Sequence, residues 1–600
     1  MLEARVREVA ASVFGVAPDE LPERLEPDTV PGWSSLRQIQ LMMALENAFG
    51  IEIDPNMLPS LASGEAIVRY LRQVGGIAEP AAPVSAYHPH LRTVHDVVAF
   101  HAEHRPDHPA VRCEDRSVTY AQLHRSSNRT AHALRRAGAA AGHRVAYLGK
   151  ESEHYYDILF ACAKTGTVLV PVNWRLRGGE IHHILRDSGS TVLFCDEDLL
   201  QTAEELRPDL PELREVVSLG AFTGWQGDED GDLAPSWTDE QPLAQVYTSG
   251  TTGNPKGVVL AHRSFFAVRD ALASEGLDWI DWRPDDVSLI GIPGFHIGGL
   301  WWSIQGFSAG ITNVSVRVFS GPEAVRVIRQ HGITTACVVP AQLQMMLAPP
   351  RPKREDFVSL RKIVYGGSPI SEALLGRSID MFGCDFAQIY GLSESGNTAI
   401  CLPPSEHVVG GPRMQAAGRP YPGIGVKIID DAGRVLPAFE VGEICLSTPA
   451  RMIEYWGLPD ATAATLVDGW LHTGDAGYLD DEGFLFVRDR IKDTIIVAGE
   501  NVYPAEIENA VCSYPGVVEA AAVAVPHEHW GEVVHCFVVT QPDRPATARE
   551  LTTFLRGRIA DFKIPAGFEF VDHLPRNPSG KLLRRELRER FWQHLDRRVA

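Results

Sequence analysis

The chain has 600 residues, too many for one core; at roughly 150 residues per domain, three or four folding units are expected. It is 44% hydrophobic and 22% charged, enough to bury a large interior and keep a polar surface. Its 56 basic against 77 acidic residues give a net charge of −21, which repels phosphate backbones and anionic lipid, so neither nucleic acid nor a membrane is expected as a partner. Nine cysteines, an odd number without a close pair, predict small buried hydrophobes in a reducing cytoplasm rather than a disulfide framework. The opening MLEARVREVAASVF interleaves charges with apolar residues, so no signal peptide is expected. The most apolar stretch, YDILFACAKTGTVLVPV, is interrupted by Lys164 and falls short of the ~18 residues of a membrane span.

Residues 1–78 read as a small helical unit. Val6, Val9, Ala10, Val13 and Phe14 recur at helical spacing. A loop rich in Pro and acidic residues leads to a second helix opening at Ser35, where Leu36, Ile39 and Met43 beside Met42, Leu45 and Phe49 predict a broad apolar stripe. SGEAIVRYLRQ predicts a third helix, and the Pro- and Ala-rich residues 79–92 read as a linker. From 93 onward short apolar runs (144–148, 167–172, 191–195, 215–219) alternate with helical stretches such as SEHYYDILFACAKTG. That rhythm predicts parallel strands covered by helices up to about residue 490. The Gly- and Asp-rich 225–235 reads as a surface loop. Residues 491–600 predict a smaller α+β unit, with strands VVEAAAVAV and VVHCFVVT before a helix over ARELTTFLRGRIADF.

The strongest local signal follows the apolar strand LAQV. Tyr247 leads into Thr248, Ser249, Gly250, Thr251, Thr252 and Gly253, then Asn254, Pro255, Lys256 and Gly257. The glycines let the backbone approach an anion, the hydroxyls add donors, and Lys256 supplies a point charge for a polyphosphate. The glycine spacing and the Pro before the Lys distinguish it from a Walker loop.

This string, together with Gly366-Gly-Ser-Pro369, Tyr390-Gly-Leu-Ser-Glu394, Thr473-Gly-Asp475, Asp489-Arg-Ile-Lys-Asp493 and Pro578-Ser-Gly-Lys581, resembles the adenylate-forming superfamily of acyl-CoA synthetases and adenylation domains over residues 93–600. The resemblance implies a large α/β adenylate-forming domain (93–490) and a mobile α+β C-terminal domain (491–600). It implies that ATP activates a carboxylic acid as acyl-AMP, with charge stabilised on both sides of the α-phosphate. By the same resemblance Glu394 helps hold Mg²⁺ and Ser393 bonds the α-phosphate, where the family usually has Thr. Tyr390 stacks on adenine beside Gly367 and Ser368, and Asp475 and Arg490 contact the ribose. Lys581 reaches the active site in the first half-reaction, Lys492 is the hinge, and Gly499 faces the thiol tunnel. Taken alone, Thr473-Gly-Asp475 would read as an exposed turn and Asp489/Arg490 as a surface ion pair.

Peptide-synthetase pockets for α-amino acids carry an Asp that pairs the substrate ammonium. Here His296 of Phe295-His-Ile-Gly-Gly299 stands at that place, so an α-amino acid is not expected. His296 resembles the residue that closes the acyl site in acyl- and aryl-CoA ligases; a buried histidine satisfied by backbone is the plainer alternative. Trp301 and Trp302 would shorten the pocket unless they belong to the core, and residues 338–346 read as another wall.

Residues 1–78 resemble an acyl carrier domain, on Gly32-Trp-Ser-Ser-Leu36 leading into QIQLMMALENAFGIEI. The resemblance implies 4′-phosphopantetheine on Ser35, attached by a phosphopantetheinyl transferase, although Ser34 stands where Asp is usual. Ser35-Leu-Arg-Gln38 also reads as a capping box that would merely start the helix. The expectation is a carrier–adenylation fusion in specialised metabolism, serving downstream enzymes that accept a carrier-bound acyl group. The alternatives are a ligase using free CoA with a vestigial carrier, or a non-catalytic scaffold. Among 22 histidines the close pairs His101/His104, His182/His183 and His527/His529 lack metal-site companions.

Overall fold

The computed structural model describes the chain except residues 1, 15, 17–20, 23–24, 28, 50–52, 75–85, 234–236, 249–254, 278–279, 350–351, 499, 528, 543, 577–581 and 593–600. Ser249–Gly253, Gly499 and Lys581 of the expected site therefore lie outside the described residues, as does the first half of the expected linker, 79–85. The chain divides into two compact units, Met1–Ser85 and Ala86–Ala600.

The first unit holds helices Leu2–Phe14, Ser35–Phe49 and Gly64–Val74 with a short turn Pro55–Ser60. Val6, Ala10, Leu41, Met42, Leu45, Ile67 and Leu71 meet in its core. The stripe on the second helix is split. Leu41, Met42 and Leu45 are buried, whereas Leu36, Ile39 and Met43 are 66%, 46% and 58% exposed. Six apolar positions span more of a 3.6-residue turn than one packed face can cover.

The second unit opens with residues read as linker but packed on their neighbours. Tyr87 donates to Asp270 Oδ1 at 3.2 Å, and Arg92 pairs with Asp239 at 2.5 Å. Two large sheets follow. The seven-stranded one runs Glu454–Tyr455, Lys256–Ala261, Pro242–Thr248, Val168–Val172, Arg144–Leu148, Val192–Cys195, Glu215–Ser218. The nine-stranded one runs Arg419–Pro420, Ile400–Leu402, Asp385–Tyr390, Lys362–Gly366, Thr335–Val338, Val287–Ile290, Thr312–Ser315, Pro109–Cys113, Arg116–Thr119. Their centres are parallel, joined by helical crossovers, as the alternation predicts.

Helices Glu153–Thr165 and Ile297–Ser308 share the largest core. The first is buried on every side, which its apolar residues all round require. Lys164 within it is also buried and donates to Asn128 Oδ1 at 2.6 Å and Ser127 Oγ at 2.8 Å; burial lowers its ammonium to about 7. No helix among the described residues is long and apolar enough to cross a membrane. The 225–235 stretch carries more than a surface loop: Gln226 is buried and donates to Thr130 Oγ1, and Asp230 accepts from Asn128.

A third sheet pairs Gly425–Ile429, Gly442–Ser447, Trp470–Leu479, Leu466–Val467 and Leu485–Arg490. All its pairings are antiparallel, so the parallel rhythm expected up to about 490 stops near Tyr390, where short connections replace helical crossovers. The C-terminal region forms its own sheet around the antiparallel pair Val517–His527 and Gly531–Thr540, with a separate core. The helix expected over 548–562 ends at Leu555, because Gly557 has φ +74° and turns the chain.

Candidate active site

Four expected site residues, Lys256, Glu394, Asp475 and Arg490, come together around two tyrosines, Tyr455 and Tyr390. Thr248 and Lys256 are the last register pair of the hairpin Pro242–Thr248/Lys256–Ala261, so the strand pairing fixes both ends of the expected phosphate loop. The Lys256 ammonium lies 4.9 Å over the Tyr455 ring, a cation–π distance. Tyr455 is buried, and its hydroxyl donates to Glu394 Oε1 at 2.6 Å. Burial, and then the Glu394 carboxylate, push the Tyr455 phenol above its usual range, so it is a donor at neutral pH. Ser393 and Glu394 sit in the helical turn Ser393–Ser395 after the strand that ends at Tyr390.

The second cluster is centred on Asp475. The Tyr390 hydroxyl donates to its Oδ2 at 2.8 Å, and Arg490 Nε reaches its Oδ1 at 3.2 Å. Asp475 and Arg490 are direct partners across the antiparallel strands Trp470–Leu479 and Leu485–Arg490. The Asp475 amide donates to Thr473 Oγ1, and that hydroxyl donates to the Ile444 carbonyl. Glu443 braces the same bend, accepting from the Gly474 amide at 3.1 Å and pairing with His472 Nδ1 at 2.9 Å. Thr473-Gly-Asp475 is thus a buried strand segment and not an exposed turn. Asp489 and Arg490 do not pair side chain to side chain: Arg490 turns to Asp475, while buried Asp489 accepts from the Ala505 amide and faces Arg584 at 3.8 Å. Burial lifts the Asp489 carboxyl to about 6.

Gly367 and Ser368 directly follow the strand Lys362–Gly366, parallel to the strand that ends at Tyr390. His296 precedes the first residue of helix Ile297–Ser308. Gly299 is required there, since a Cβ would lie 2.2 Å from the Ile292 carbonyl oxygen. His296 Nε2 is buried with no hydrogen-bond partner among the described residues, and burial lowers its imidazole to about 4. The ring is neutral, and its Nε2 lacks the backbone partner that the plainer reading of a satisfied histidine requires. Trp302 belongs to the core, donating to Ser288 Oγ at 2.8 Å. Gln342 of the expected wall instead ties Gly291 to Val339. Lys492 is exposed in the turn Ile491–Asp493.

Tyr455, Glu443 and Arg584 escaped the sequence reading. Each acts through a partner far along the chain, and only Tyr455-Trp456, an aromatic pair that ends the two-residue strand Glu454–Tyr455, offered any local signal.

The AMP-binding enzyme family model matches residues 98–456, and the AMP-binding enzyme C-terminal domain matches 506–581. The chain belongs to the AMP-binding enzyme family. This AMP-binding enzyme is 62% identical over 516 residues to a fatty acid–[acyl-carrier-protein] ligase of Streptomyces coeruleorubidus, covering 86% of this chain and 99% of that protein. It is 37% identical to a feruloyl-CoA synthase of an Amycolatopsis species, over 81% of this chain and 96% of the relative. Among solved structures, the o-succinylbenzoate CoA synthetase of Bacillus subtilis with its acyl-adenylate intermediate superimposes with a TM-score of 0.72 at 32% identity, covering 82% of this chain and 97% of that one. ATP-bound MatB of Rhodopseudomonas palustris gives 0.76 at 26% identity, covering 83% and 99%. The AMP-binding enzyme is an acid–thiol ligase: it forms an acyl-adenylate from ATP and a carboxylic acid and passes the acyl group to a thiol.

Proposed function

We propose that this ligase is fused to its own carrier, and that the accepting thiol belongs to a 4′-phosphopantetheine arm on Ser35. The observation that carries this is the helix start. The helix begins at Ser35, and its cap is the preceding residue, Ser34, whose Oγ accepts from the Arg37 amide at 3.3 Å. The expected Ser35/Gln38 capping box does not form; Gln38 donates instead to the Leu58 carbonyl at 2.7 Å. Ser35 is exposed, and its hydroxyl is not consumed in ending the helix, which fits an attachment point. The fatty acid–[acyl-carrier-protein] ligase relative, covered almost throughout, leaves a part of this chain the size of Met1–Ser85 without a counterpart.

In the large domain, proposed as residues 93–490, the acid is not an α-amino acid, because neutral His296 offers no anion for an ammonium; a fatty acid is the favoured class. Its carboxylate attacks the α-phosphate of ATP and pyrophosphate leaves. Lys256, with Thr248, Ser249, Gly250, Thr251, Thr252 and Gly253, neutralises the phosphates, and Ser393 bonds the α-phosphate. Tyr390, Gly367 and Ser368 hold adenine; Asp475 and Arg490 hold the ribose. Glu394 fits Mg²⁺, since its Oε2 has no hydrogen bond among the described residues and a carboxylate oxygen suits a hard cation; the ion would offset charge on the leaving pyrophosphate. Lys581 of the C-terminal domain (491–600) serves the first half-reaction. A swing about Lys492 then brings Gly499 to the thiol path, the thiol loses its proton to solvent, attacks the acyl carbon and expels AMP.

A phosphopantetheinyl transferase must load Ser35, and enzymes that use a carrier-bound acyl group, in a specialised biosynthetic route, must unload it. Intact-protein mass spectrometry after phosphopantetheinylation, with ATP and a panel of acids, tests the reading. Prosthetic mass followed by acyl mass on the same chain supports it. Efficient acyl-CoA synthesis by a chain that never gains that mass favours the plain ligase, as the CoA-using relatives would suggest.

A further inference from the structure

Glu151 is a buried carboxylate, 5% exposed, with no ion-pair partner among the described residues. Its Oε1 accepts the Gly294 amide at 2.6 Å and its Oε2 the Tyr156 hydroxyl at 3.0 Å. The neighbouring Tyr155 hydroxyl donates to the Gly294 carbonyl at 2.8 Å. Gly294 is therefore gripped at both its N–H and its C=O by side chains from one segment. No side chain would fit there, because a Cβ would lie 2.5 Å from Tyr155 Cζ. Around Gly294 the His296 amide closes back on the Pro293 carbonyl at 3.0 Å, and helix Ile297–Ser308 begins. The titratable groups around the carboxylate are Tyr147, Tyr155 and Tyr156, with Cys113 beside the Glu151 backbone, and none of them supplies a positive charge. A buried carboxylate without a cation is costly, so a role for it is sought in the turn it holds.

We propose that Glu151 is a positioning residue for the acid substrate: by clamping Gly294 it fixes the turn that presents His296 to the acyl group. This rests on the reading of His296 as a wall of the acyl site. The carboxylate is the suitable clamp because it accepts from two donors at once, while the tyrosine beside it takes the carbonyl; the turn then has one arrangement before the acid arrives, and binding need not order it.

Pyrophosphate exchange with the full chain, saturating separately in acid and in ATP, tests the proposal in Glu151→Ala, Glu151→Gln, Tyr155→Phe, His296→Ala and the Glu151→Ala/His296→Ala pair. Glu151→Ala should raise the KM for acid on the order of tenfold to a hundredfold and leave the KM for ATP unchanged. Glu151→Gln, which keeps the shape and an acceptor, should recover most of the loss. The double variant should be no worse than the worse single one, since both act through one turn. Multiplying effects, or acid and ATP KM rising together, would overturn the proposal. If Glu151→Ala does not fold, Tyr155→Phe removes the other arm and must show the same split. If His296→Ala leaves the acid KM at its wild-type value, the acyl-wall reading fails by itself. A selective rise in Glu151→Ala would then show that Glu151 does not act through His296.

Discussion

The Tyr455 hydroxyl donates to Glu394 at 2.6 Å while the Lys256 ammonium lies over the face of the same ring. One buried side chain thus joins the lysine that ends the phosphate loop to the acidic residue of the Ser393–Ser395 turn, across three separate stretches of chain. It holds Glu394 Oε1, and the other oxygen is the one proposed above to meet Mg²⁺.

Tyr455→Phe keeps the ring under Lys256 and removes only the hydroxyl. A hydrogen bond to a charged group contributes about 1.5–3 kcal/mol, so kcat/KM for Mg-ATP should fall by about tenfold or more. Titrating Mg²⁺ at fixed ATP in the exchange assay should show a weaker metal dependence. An unchanged Mg²⁺ curve would place the ion elsewhere.

Asp475→Asn should raise the KM for ATP by about one to two orders of magnitude, for the loss of one charged acceptor shared by Tyr390 and Arg490. The KM for acid should stay near wild type, because the Asp475 cluster belongs to the proposed ribose side of the site. Parallel loss in both substrates would mean that the bend at Gly474, and not the nucleotide contact, had failed.

Ser34 and Ser35 should separate cleanly. Ser35→Ala should abolish prosthetic mass and acyl loading while leaving adenylate formation intact. Ser34→Ala should keep the attachment hydroxyl and cost the helix about 1 kcal/mol, as a lost N-cap does; thermal melting of the isolated signal from Met1–Ser85, followed by hydrogen exchange in the full chain, would read it. A reversal, with Ser35→Ala destabilising and Ser34→Ala silent, would restore the capping-box reading.

Lys581→Ala should lower adenylation on the order of 10²–10³ by removing a preorganised charge, yet spare thioester formation from supplied acyl-adenylate. Equal loss in both half-reactions would contradict a domain swing about Lys492.

Burial lifts the Glu151 carboxyl from the ordinary range to about 7. The folded state then binds the proton more tightly than the unfolded one, so this group's contribution to stability falls as pH rises from about 4.5 to about 7 and is constant above. Glu151→Gln removes that titration. The difference in Tm between Glu151→Gln and wild type should therefore move in favour of the variant across that window, and a flat difference would show that the carboxyl ionises as freely as in water.

The sequence by itself determined the alternation of strands and helices between about 93 and 390, and the family, because hydrophobic period and short glycine-bearing motifs are local properties of a chain. It also named Lys256, Glu394, Tyr390, Asp475 and Arg490 one at a time. What only the tertiary structure decided was who partners whom. Strand register set Asp475 against Arg490 and left Asp489 to Arg584, although Asp489 and Arg490 are adjacent in sequence. Close packing chose which face of helix Ser35–Phe49 is buried and left Leu36, Ile39 and Met43 outside, and the helix start moved the cap from Ser35 to Ser34. Tyr455 under Lys256 and Glu151 under Gly294 carry no motif of their own. A buried hydrogen bond requires two groups to be desolvated together, and which two meet depends on how distant segments pack.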